Sequence, residues 1–205
     1  MTGDLVPALT TPSATKAEIR KRILAARDRV DAATRREFAA RITPRLLALP
    51  AYREARCVMA YVGFGAEFDT APFIADVLAQ KKSLVLPRVE RAARALRLHA
   101  VRDPETELAA GVWGIREPRP DLCAEVAPEK VDFVLVPGVA FTARCERLGY
   151  GGGYYDRLIP GFASRAALVV AAYSLQIVPE LPVTPSDRSV DLILTEDAEY
   201  LRSPM

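Results

Sequence analysis

Two apolar runs, at residues 131–136 and 167–172, constrain the fold of this chain more than any other feature. Runs of this kind are typical of parallel strands in a sheet whose two faces are both covered by helices. Residues 70–81 form a helical pattern with Pro72 in the first turn, and residues 94–101 alternate as a half-exposed antiparallel strand does. The predicted strands are 57–64, 84–86, 94–101, 131–136, 167–172 and 191–194. Strands that alternate with helices predict an α/β fold, a three-layer sandwich with a mostly parallel central sheet.

Two further helices are predicted at the N terminus. Thr15 and Glu18 fit a capping box, and apolar residues at helical spacing follow them. The same pattern recurs at residues 34–37, ahead of a second helix. Pro44 lies inside that helix and predicts either a kink or a restart with Thr43 as the cap. We therefore expect an N-terminal helical hairpin.

The composition fits one globular domain, which we predict over residues 13–205 after a disordered lead-in at residues 1–12. The chain has 205 residues, and its 28 Lys and Arg against 26 Asp and Glu leave a net charge of +2. This balance excludes a protein built to neutralise many nucleic-acid phosphates. No apolar run approaches the roughly 20 residues that cross a bilayer, so we expect no membrane partner. The three cysteines are widely spaced without a CxxC pair, which favours a reduced, cytoplasmic protein.

Ligands of open α/β sheets collect at the carboxyl ends of the strands. Three loops of unusual composition are expected there, at residues 63–70, 137–156 and 182–191. The sequence therefore predicts that these loops together form the functional site.

The chemically most informative segment is RLGYGGGYYDR at residues 147–157. Four glycines within five residues let the backbone present consecutive N–H groups ahead of a predicted helix, which is an arrangement that binds anions. Arg147 and Arg157 add positive charge, and Asp156 offers a hard oxygen ligand for magnesium. Tyr154 replaces the third glycine of GxGxxG, and no GK[ST] occurs, so both common nucleotide motifs are excluded. A flexible glycine loop without a ligand is the alternative.

A phosphate-binding lysine must come from elsewhere, because no lysine follows Lys130. Lys16 is the first residue of the first predicted helix, where a positive charge opposes the helix dipole. Arg20 lies four residues later on the same helix face. This pair is a candidate for phosphate binding, and an ordinary solvated basic face is the alternative.

Six segments follow one another along the chain: Lys16 with Arg20, GAEFDT at 65–70, LPR at 86–88, WGIREP at 113–118, VPGVAF at 136–141 and RLGYGGGYYDR at 147–157. In this order they make the chain, from Lys16 to Glu196, resemble the 5-formyltetrahydrofolate cyclo-ligase (methenyltetrahydrofolate synthetase) family. The last of these is highly specific, whereas the others are individually weak.

The resemblance implies an ATP- and Mg²⁺-dependent cyclisation of 5-formyltetrahydrofolate to 5,10-methenyltetrahydrofolate. ADP and phosphate are released, and the reaction passes through a phosphorylated formyl intermediate. Mg²⁺ is the implied cofactor and ATP the co-substrate. The expected partners are these small molecules, without nucleic acid or membrane, and we expect a monomer.

The resemblance also implies a role for individual residues. The catalytic residues would be Arg147 and Tyr154. The ATP-binding residues would be Lys16, Arg20, Arg147, Leu148, Gly149, Tyr150, Gly151, Gly152, Gly153, Tyr154 and Tyr155. The folate-binding residues would be Val62, Glu67, Trp113, Tyr150, Gly151, Gly152, Gly153 and Tyr154. The metal ligands would be Asp156 and Asp187.

Departures from the family pattern leave two other functions open. Thr142 stands at a usually acidic position, and Cys145 replaces a glycine that would allow a turn with positive φ. A non-catalytic nucleotide-binding relative and an enzyme acting on another N-formyl compound are therefore the alternatives. His99, the only histidine, is interpreted as a residue on the surface of its strand.

Overall fold

The structure is a computed structural model that describes residues 14–203, so the predicted lead-in at residues 1–12 lies outside the described residues. The helices are α1 (Lys16–Asp28), α2 (Ala32–Ala48), α3 (Pro50–Glu54), α4 (Ala71–Ala79), α5 (Pro104–Glu107) and α6 (Tyr154–Leu158). The strands are β1 (Cys57–Met59), β2 (Ser83–Glu90), β3 (Ala95–Val101), β4 (Leu108–Ala110), β5 (Arg116–Pro118), β6 (Phe133–Leu135), β7 (Ala140–Phe141), β8 (Arg147–Leu148), β9 (Ala167–Ala171), β10 (Leu192–Leu194) and β11 (Glu199–Leu201).

The central sheet has seven strands within residues 14–203, in the order β11-β10-β9-β6-β1-β2-β3. β10, β9, β6, β1 and β2 are mutually parallel, whereas β3 and β11 pair antiparallel at the two edges. Two small antiparallel pairs, β4–β5 and β7–β8, lie outside this sheet. The mostly parallel sheet predicted from the apolar runs is confirmed, as is the antiparallel strand at residues 94–101.

Both faces of the sheet are covered. Phe133 and Leu135 of β6 pack in one apolar cluster with residues of α2 and α4. Val134, between them, packs in a second cluster with Phe141 of β7 and Leu158 of α6. Because successive side chains of a strand point to opposite faces, the two clusters lie on opposite sides of the sheet. The predicted three-layer sandwich is therefore confirmed.

The two N-terminal helices are present, but they pack against different neighbours. The capping box of α1 forms as predicted, with Thr15 and Glu18 bonded to each other's backbone N–H groups. Ile19 and Ile23 of α1 pack against the β7–β8 hairpin, whereas α2 packs on the central sheet. This packing brings the polar face of α1, with Arg20, to the glycine-rich loop that follows β8.

The predicted start of the second helix is wrong. Its N-cap is Asp31, whose side chain accepts hydrogen bonds from Ala33 and Thr34, so Thr34 lies inside α2 and caps nothing. The helix continues through Pro44 without a restart at Thr43, so of the two outcomes predicted for the proline the restart does not occur. Burial of apolar residues before and after the proline stabilises the helix by more than the single lost hydrogen bond destabilises it.

His99 is buried, at 6% exposure, so its interpretation as a strand-surface residue is wrong. Its Nδ1 atom lies 3.0 Å from the carbonyl oxygen of Cys123. The segment at residues 123–126 pairs antiparallel with the outer edge of β3, and its first residue supplies the carbonyl group that contacts the histidine ring. The alternation of residues within a strand does not show which distant segment packs beside it, so the sequence of β3 alone could not predict the burial of His99.

Cys145 adopts φ = +64° and is fully buried. The turn that a glycine would allow is therefore kept despite the substitution. The thiol lies 3.3 Å from the carbonyl oxygen of Tyr200, so the side chain also joins this turn to β11. Among residues 14–203, no helix has the length and apolar character to span a bilayer.

Ile23→Ala is expected to lower the free energy of unfolding by roughly 2–5 kcal/mol, because it leaves a cavity between α1 and the β7–β8 hairpin. The exposed neighbour Lys21, replaced by Ala, is the matched control and is expected to change the value by less than about 0.5 kcal/mol. Urea unfolding measures both. A similar small loss for the two variants would contradict the docking of α1 described above.

Candidate active site

The strand order reverses between β1 and β6. The chain passes from β1 to β2 on one side and from β6 to β9 on the other. Loops that leave such neighbouring strands diverge and open a crevice at their carboxyl ends, where ligands of α/β proteins bind. Here the diverging segments are residues 60–70 and residues 136–153.

The glycine-rich loop at residues 149–153 is held mainly through its carbonyl oxygens. The Arg20 Nε group donates to the carbonyl oxygen of Gly149 at 2.7 Å, and Arg157 Nη2 donates to that of Gly152 at 2.7 Å. Gly151 and Gly153 have φ values of +104° and +65°, which residues with a Cβ rarely adopt. A loop held by its carbonyl groups can turn its N–H groups toward an anion.

Lys16 joins α1 to the loop at residues 182–191. Its Nζ lies 2.7 and 2.5 Å from the two carboxylate oxygens of Asp187, and the Thr184 N–H group donates to Oδ2 of the same residue at 2.6 Å. Burial acts to raise the pKa of Asp187, but the hydrogen bonds from Lys16 and Thr184 outweigh it and hold the pKa below its usual value. The lysine and the carboxylate are thus both charged and in contact.

Arg147 and Asp156 form a second ion pair beneath the glycine-rich loop. Arg147 Nη2 lies 2.6 Å from Asp156 Oδ1, and the arginine side chain is only 2% exposed. The same Oδ1 accepts a hydrogen bond from the Arg188 N–H group at 3.2 Å, next to Asp187 in the chain. The two predicted metal ligands therefore lie on segments that contact each other, and the loop at residues 137–156 also contacts the loop at residues 63–70.

Asp156 is compatible with a magnesium ion, whereas both oxygens of Asp187 accept hydrogen bonds here, and Asp187 would have to release Lys16 to bind one. Mg²⁺ is usually bound through one or two carboxylates together with water and substrate phosphates. The hydrogen bonds of Asp156 fall on Oδ1, which leaves Oδ2 as a ligand. Within the described residues no group of three or more His, Cys, Asp and Glu side chains could hold a metal, so an ion here would need phosphate oxygens.

Glu67 lies across the crevice from the glycine-rich loop. Its Oε1 accepts a hydrogen bond from the Tyr150 hydroxyl, and its Oε2 accepts one from the Phe64 N–H group at 3.1 Å. Burial raises the pKa of this carboxyl, against the opposing effects of both hydrogen bonds and of the positive charge of Arg27. The rings of Phe64 and Tyr150 lie 5.5 Å apart beside it and are both 41% exposed. A carboxylate flanked by accessible rings can bind a flat heterocycle that carries N–H donors.

Sequence reasoning missed Arg27. It is 3% exposed, and its Nη2 group donates to the Tyr150 hydroxyl at 2.8 Å. The available signal was its spacing, because Arg27 follows Lys16 by eleven residues, which is about three helical turns. The two side chains therefore lie on the same face of α1.

The remaining predicted residues are more peripheral. Leu148 is buried against α1, so only its backbone is available to a nucleotide. The ring of Tyr154 lies 5.4 Å from the Arg157 guanidinium carbon, and Val62 packs at the edge of the main core. Tyr155 lies under Arg147, at 5.9 Å. The backbone of Trp113 forms a single 3₁₀ turn between β4 and β5, and its side chain lies outside the described part of the structure.

The burial of Glu67 gives a pH-dependent contribution to stability. Because its pKa is raised, the folded protein keeps this proton to a higher pH than the unfolded chain, whose value is near 4.5. The free energy of unfolding of the wild type, relative to that of Glu67→Gln, is expected to fall as the pH rises above 4.5. Urea unfolding of both proteins across this range measures the difference.

The control for that comparison is Glu54→Gln, which makes the same charge change at an exposed site. Its difference from the wild type is expected to vary less with pH. If the free energy of unfolding of the wild type, relative to that of Glu67→Gln, instead rose with pH, the Glu67 carboxyl would have a lowered pKa. The description of its buried site would then be wrong.

Comparison with known proteins identifies the family. A family model described as the 5-formyltetrahydrofolate cyclo-ligase family matches residues 12–196. The 5-formyltetrahydrofolate cyclo-ligase of Escherichia coli (strain K12) is 28% identical over 160 residues, covering 78% of this chain and 88% of that protein. The solved structure of Aquifex aeolicus 5,10-methenyltetrahydrofolate synthetase has a TM-score of 0.81 and 35% identity, covering 93% of this chain and 94% of the other.

A second solved structure, a 5,10-methenyltetrahydrofolate synthetase from Mycoplasma pneumoniae, shares the fold with a TM-score of 0.73 at 22% identity. It covers 89% of this chain and 99% of its own. The resemblance carried by the six sequence segments is confirmed: the chain belongs to the 5-formyltetrahydrofolate cyclo-ligase family.

Proposed function

We propose that this chain catalyses the ATP- and Mg²⁺-dependent cyclisation of 5-formyltetrahydrofolate to 5,10-methenyltetrahydrofolate. The formyl oxygen attacks the γ-phosphorus of ATP, and ADP leaves. The second reactive nitrogen of the folate then attacks the activated formyl carbon, loses its proton and expels phosphate. The observation that carries this proposal is that the glycine-rich loop contacts the buried Glu67 on one side, while Asp156, which follows the loop, contacts the segment of the second ion-paired carboxylate, Asp187.

The nucleotide side of the proposed site consists of Lys16, Arg20 and the glycine-rich loop. Phosphoryl transfer depends mainly on positioning and on positive charge around the transferred group. Arg20 holds the loop at Gly149, and the ammonium group of Lys16 lies against Asp187, at the edge of the proposed site. The loop N–H groups supply further donors from residues 149–153, and the backbone of Leu148 leads into them.

The metal side of the proposed site consists of Asp156 and Asp187. When bound, magnesium supplies positive charge at the phosphate oxygens. The buried Arg147 keeps Asp156 in a fixed orientation, because an ionised carboxylate bonded to a buried guanidinium has little freedom. Arg147 therefore contributes charge and order beneath the loop in this proposal, and Tyr154, at the start of α6, faces the formyl group.

The folate side of the proposed site is built around Glu67. Its carboxylate accepts hydrogen bonds from N–H groups of the pterin ring, with Phe64, Tyr150 and Val62 as apolar walls. The Tyr150 hydroxyl occupies Oε1 in this structure, so we infer that the pterin donors replace it there. Trp113 remains a predicted stacking residue.

The alternative of a non-catalytic relative rested on Thr142 and Cys145. Cys145 keeps the positive φ expected of a glycine, and the Thr142 hydroxyl is bonded to Glu146 at 2.8 Å. The turn ahead of β8 is thus retained, which supports the catalytic proposal. The free thiols of all three cysteines are compatible with the reducing, cytoplasmic location that we propose, and we also propose that the enzyme is a monomer.

The reaction itself is tested with the purified full chain, 5-formyltetrahydrofolate, ATP and Mg²⁺. We expect the near-ultraviolet absorbance of the methenyl product to appear only when all three are present, with one phosphate released per product. A flat trace from a protein that binds ATP in calorimetry would contradict the proposal. It would favour a non-catalytic relative or an enzyme for another N-formyl compound.

Asp156→Ala is expected to reduce turnover by at least about 100-fold, because it removes a metal ligand and the partner of Arg147. Asp156→Asn, which still accepts a hydrogen bond from Arg147, separates the loss of the metal from the loss of folding. The control is Asp121→Ala, at an exposed ion pair with Arg119. Near-normal turnover in a folded Asp156→Asn protein would remove this residue from the metal site.

A further inference from the structure

Arg27 has no role in the reaction as proposed above, yet it is buried directly behind the folate side of the site. It lies in the last turn of α1, where the helix dipole favours a cation. Its guanidinium carbon is 5.8 Å from the centroid of the Tyr150 ring, and its Nε is buried without a partner among the described residues. Burial of a guanidinium group is unfavourable unless charge and hydrogen bonds compensate. The compensating negative charge on this side of the crevice is Glu67.

The hydrogen bonds give the contact a direction. Arg27 has only hydrogen-bond donors, so the Tyr150 hydroxyl accepts a hydrogen bond from Arg27 and donates one to Glu67. Burial and the charge of Glu67 raise the pKa of Tyr150 above its ordinary value, so the tyrosine stays protonated near neutral pH. The chain of donors therefore runs from α1, through the glycine-rich loop, to the loop that follows β1.

We propose that Arg27 is a positioning residue of the folate site, which acts through the Tyr150 hydroxyl on the Glu67 carboxylate. The inference rests on the proposed function in that Glu67 is taken as the pterin-binding group. Arg27 fixes the tyrosine ring that forms one wall of the pocket. Its charge also favours the ionised carboxylate, which is the form that accepts hydrogen bonds on both oxygens.

No other cation in this group of residues can replace it. The titratable groups that face Glu67 from the elements packed around it are Arg27, Tyr61, Tyr150, Tyr155 and Tyr173. Burial is the main cause of the raised pKa of all four tyrosines, so they are neutral near pH 7. Arg27 is therefore the member of this set that balances the charge of Glu67.

The test compares Arg27→Gln, Arg27→Lys, Tyr150→Phe and the double variant Arg27→Gln/Tyr150→Phe in the full chain. Folate affinity is measured by calorimetry without ATP, and kcat and KM for both substrates are measured across pH. For Arg27→Gln we expect about tenfold weaker folate binding, as for loss of one charge-assisted hydrogen bond, with the KM for ATP within about twofold of the wild type.

Two further readouts separate positioning from a merely structural role. The pH below which kcat/KM for folate falls is expected to be higher in Arg27→Gln than in the wild type. In Arg27→Lys it is expected to return to the wild-type value, because lysine restores the positive charge. The double variant is expected to lose clearly less folate affinity than the sum of the two single losses, since part of the effect of the arginine passes through the hydroxyl. Arg22→Gln, at an exposed position of the same helix, is the matched control.

Additive losses in the double variant, or equal losses of ATP and folate affinity, would overturn the proposal. So would unchanged folate affinity in a folded Arg27→Gln protein. If Arg27→Gln does not fold, the same comparison of single and combined losses is made with Arg27→Lys, alone and together with Tyr150→Phe. A wild type that binds folate without turning it over would contradict the proposed reaction alone, whereas one that binds no folate would overturn both.

Discussion

The position of the site depends on the reversal of strand order between β1 and β6. At this reversal the loop that carries Glu67 and the loop that carries the glycines leave neighbouring strands in opposite directions. A continuous parallel order would place a crossover segment over the same edge and close the crevice. The short β1, which ends at Met59, lengthens the first of these loops enough for Glu67 to reach Tyr150.

Charge compensation holds the segments of the crevice together. Lys16 pairs with Asp187, Arg147 pairs with Asp156, and Arg27 reaches Glu67 through Tyr150. The first and third contacts join segments that are distant in the chain, whereas Arg147 and Asp156 join the two ends of the glycine-rich segment. Each contact contains a group to which we assign a ligand. In the proposed reaction, phosphates would bind the cations while magnesium would bind the carboxylates. Such an exchange would keep every buried charge paired, which limits the free-energy cost of binding.

Much of the fold and part of the site could be predicted from the sequence. The parallel strands are recognisable in the sequence as continuous apolar runs. The glycine-rich loop and the Lys16–Arg20 pair are recognisable as local sequence patterns. Features that depend on tertiary contacts could not be predicted. The burial of His99 depends on the pairing of residues 123–126 with the edge of β3, and the course of α2 through Pro44 requires the packing of its buried face. Arg27 was recognisable only by its spacing from Lys16, since nothing local distinguishes a buried arginine from the exposed ones of the same helix.

The central claim is that the glycine-rich loop and α1 together bind the phosphates of a nucleotide. A crystal structure with Mg²⁺ and a non-hydrolysable ATP analogue tests it most directly. The account predicts the triphosphate against the backbone of residues 149–153, with the Lys16 ammonium group transferred from Asp187 to a phosphate oxygen. A triphosphate bound elsewhere, with the Lys16–Asp187 contact unchanged, would contradict it.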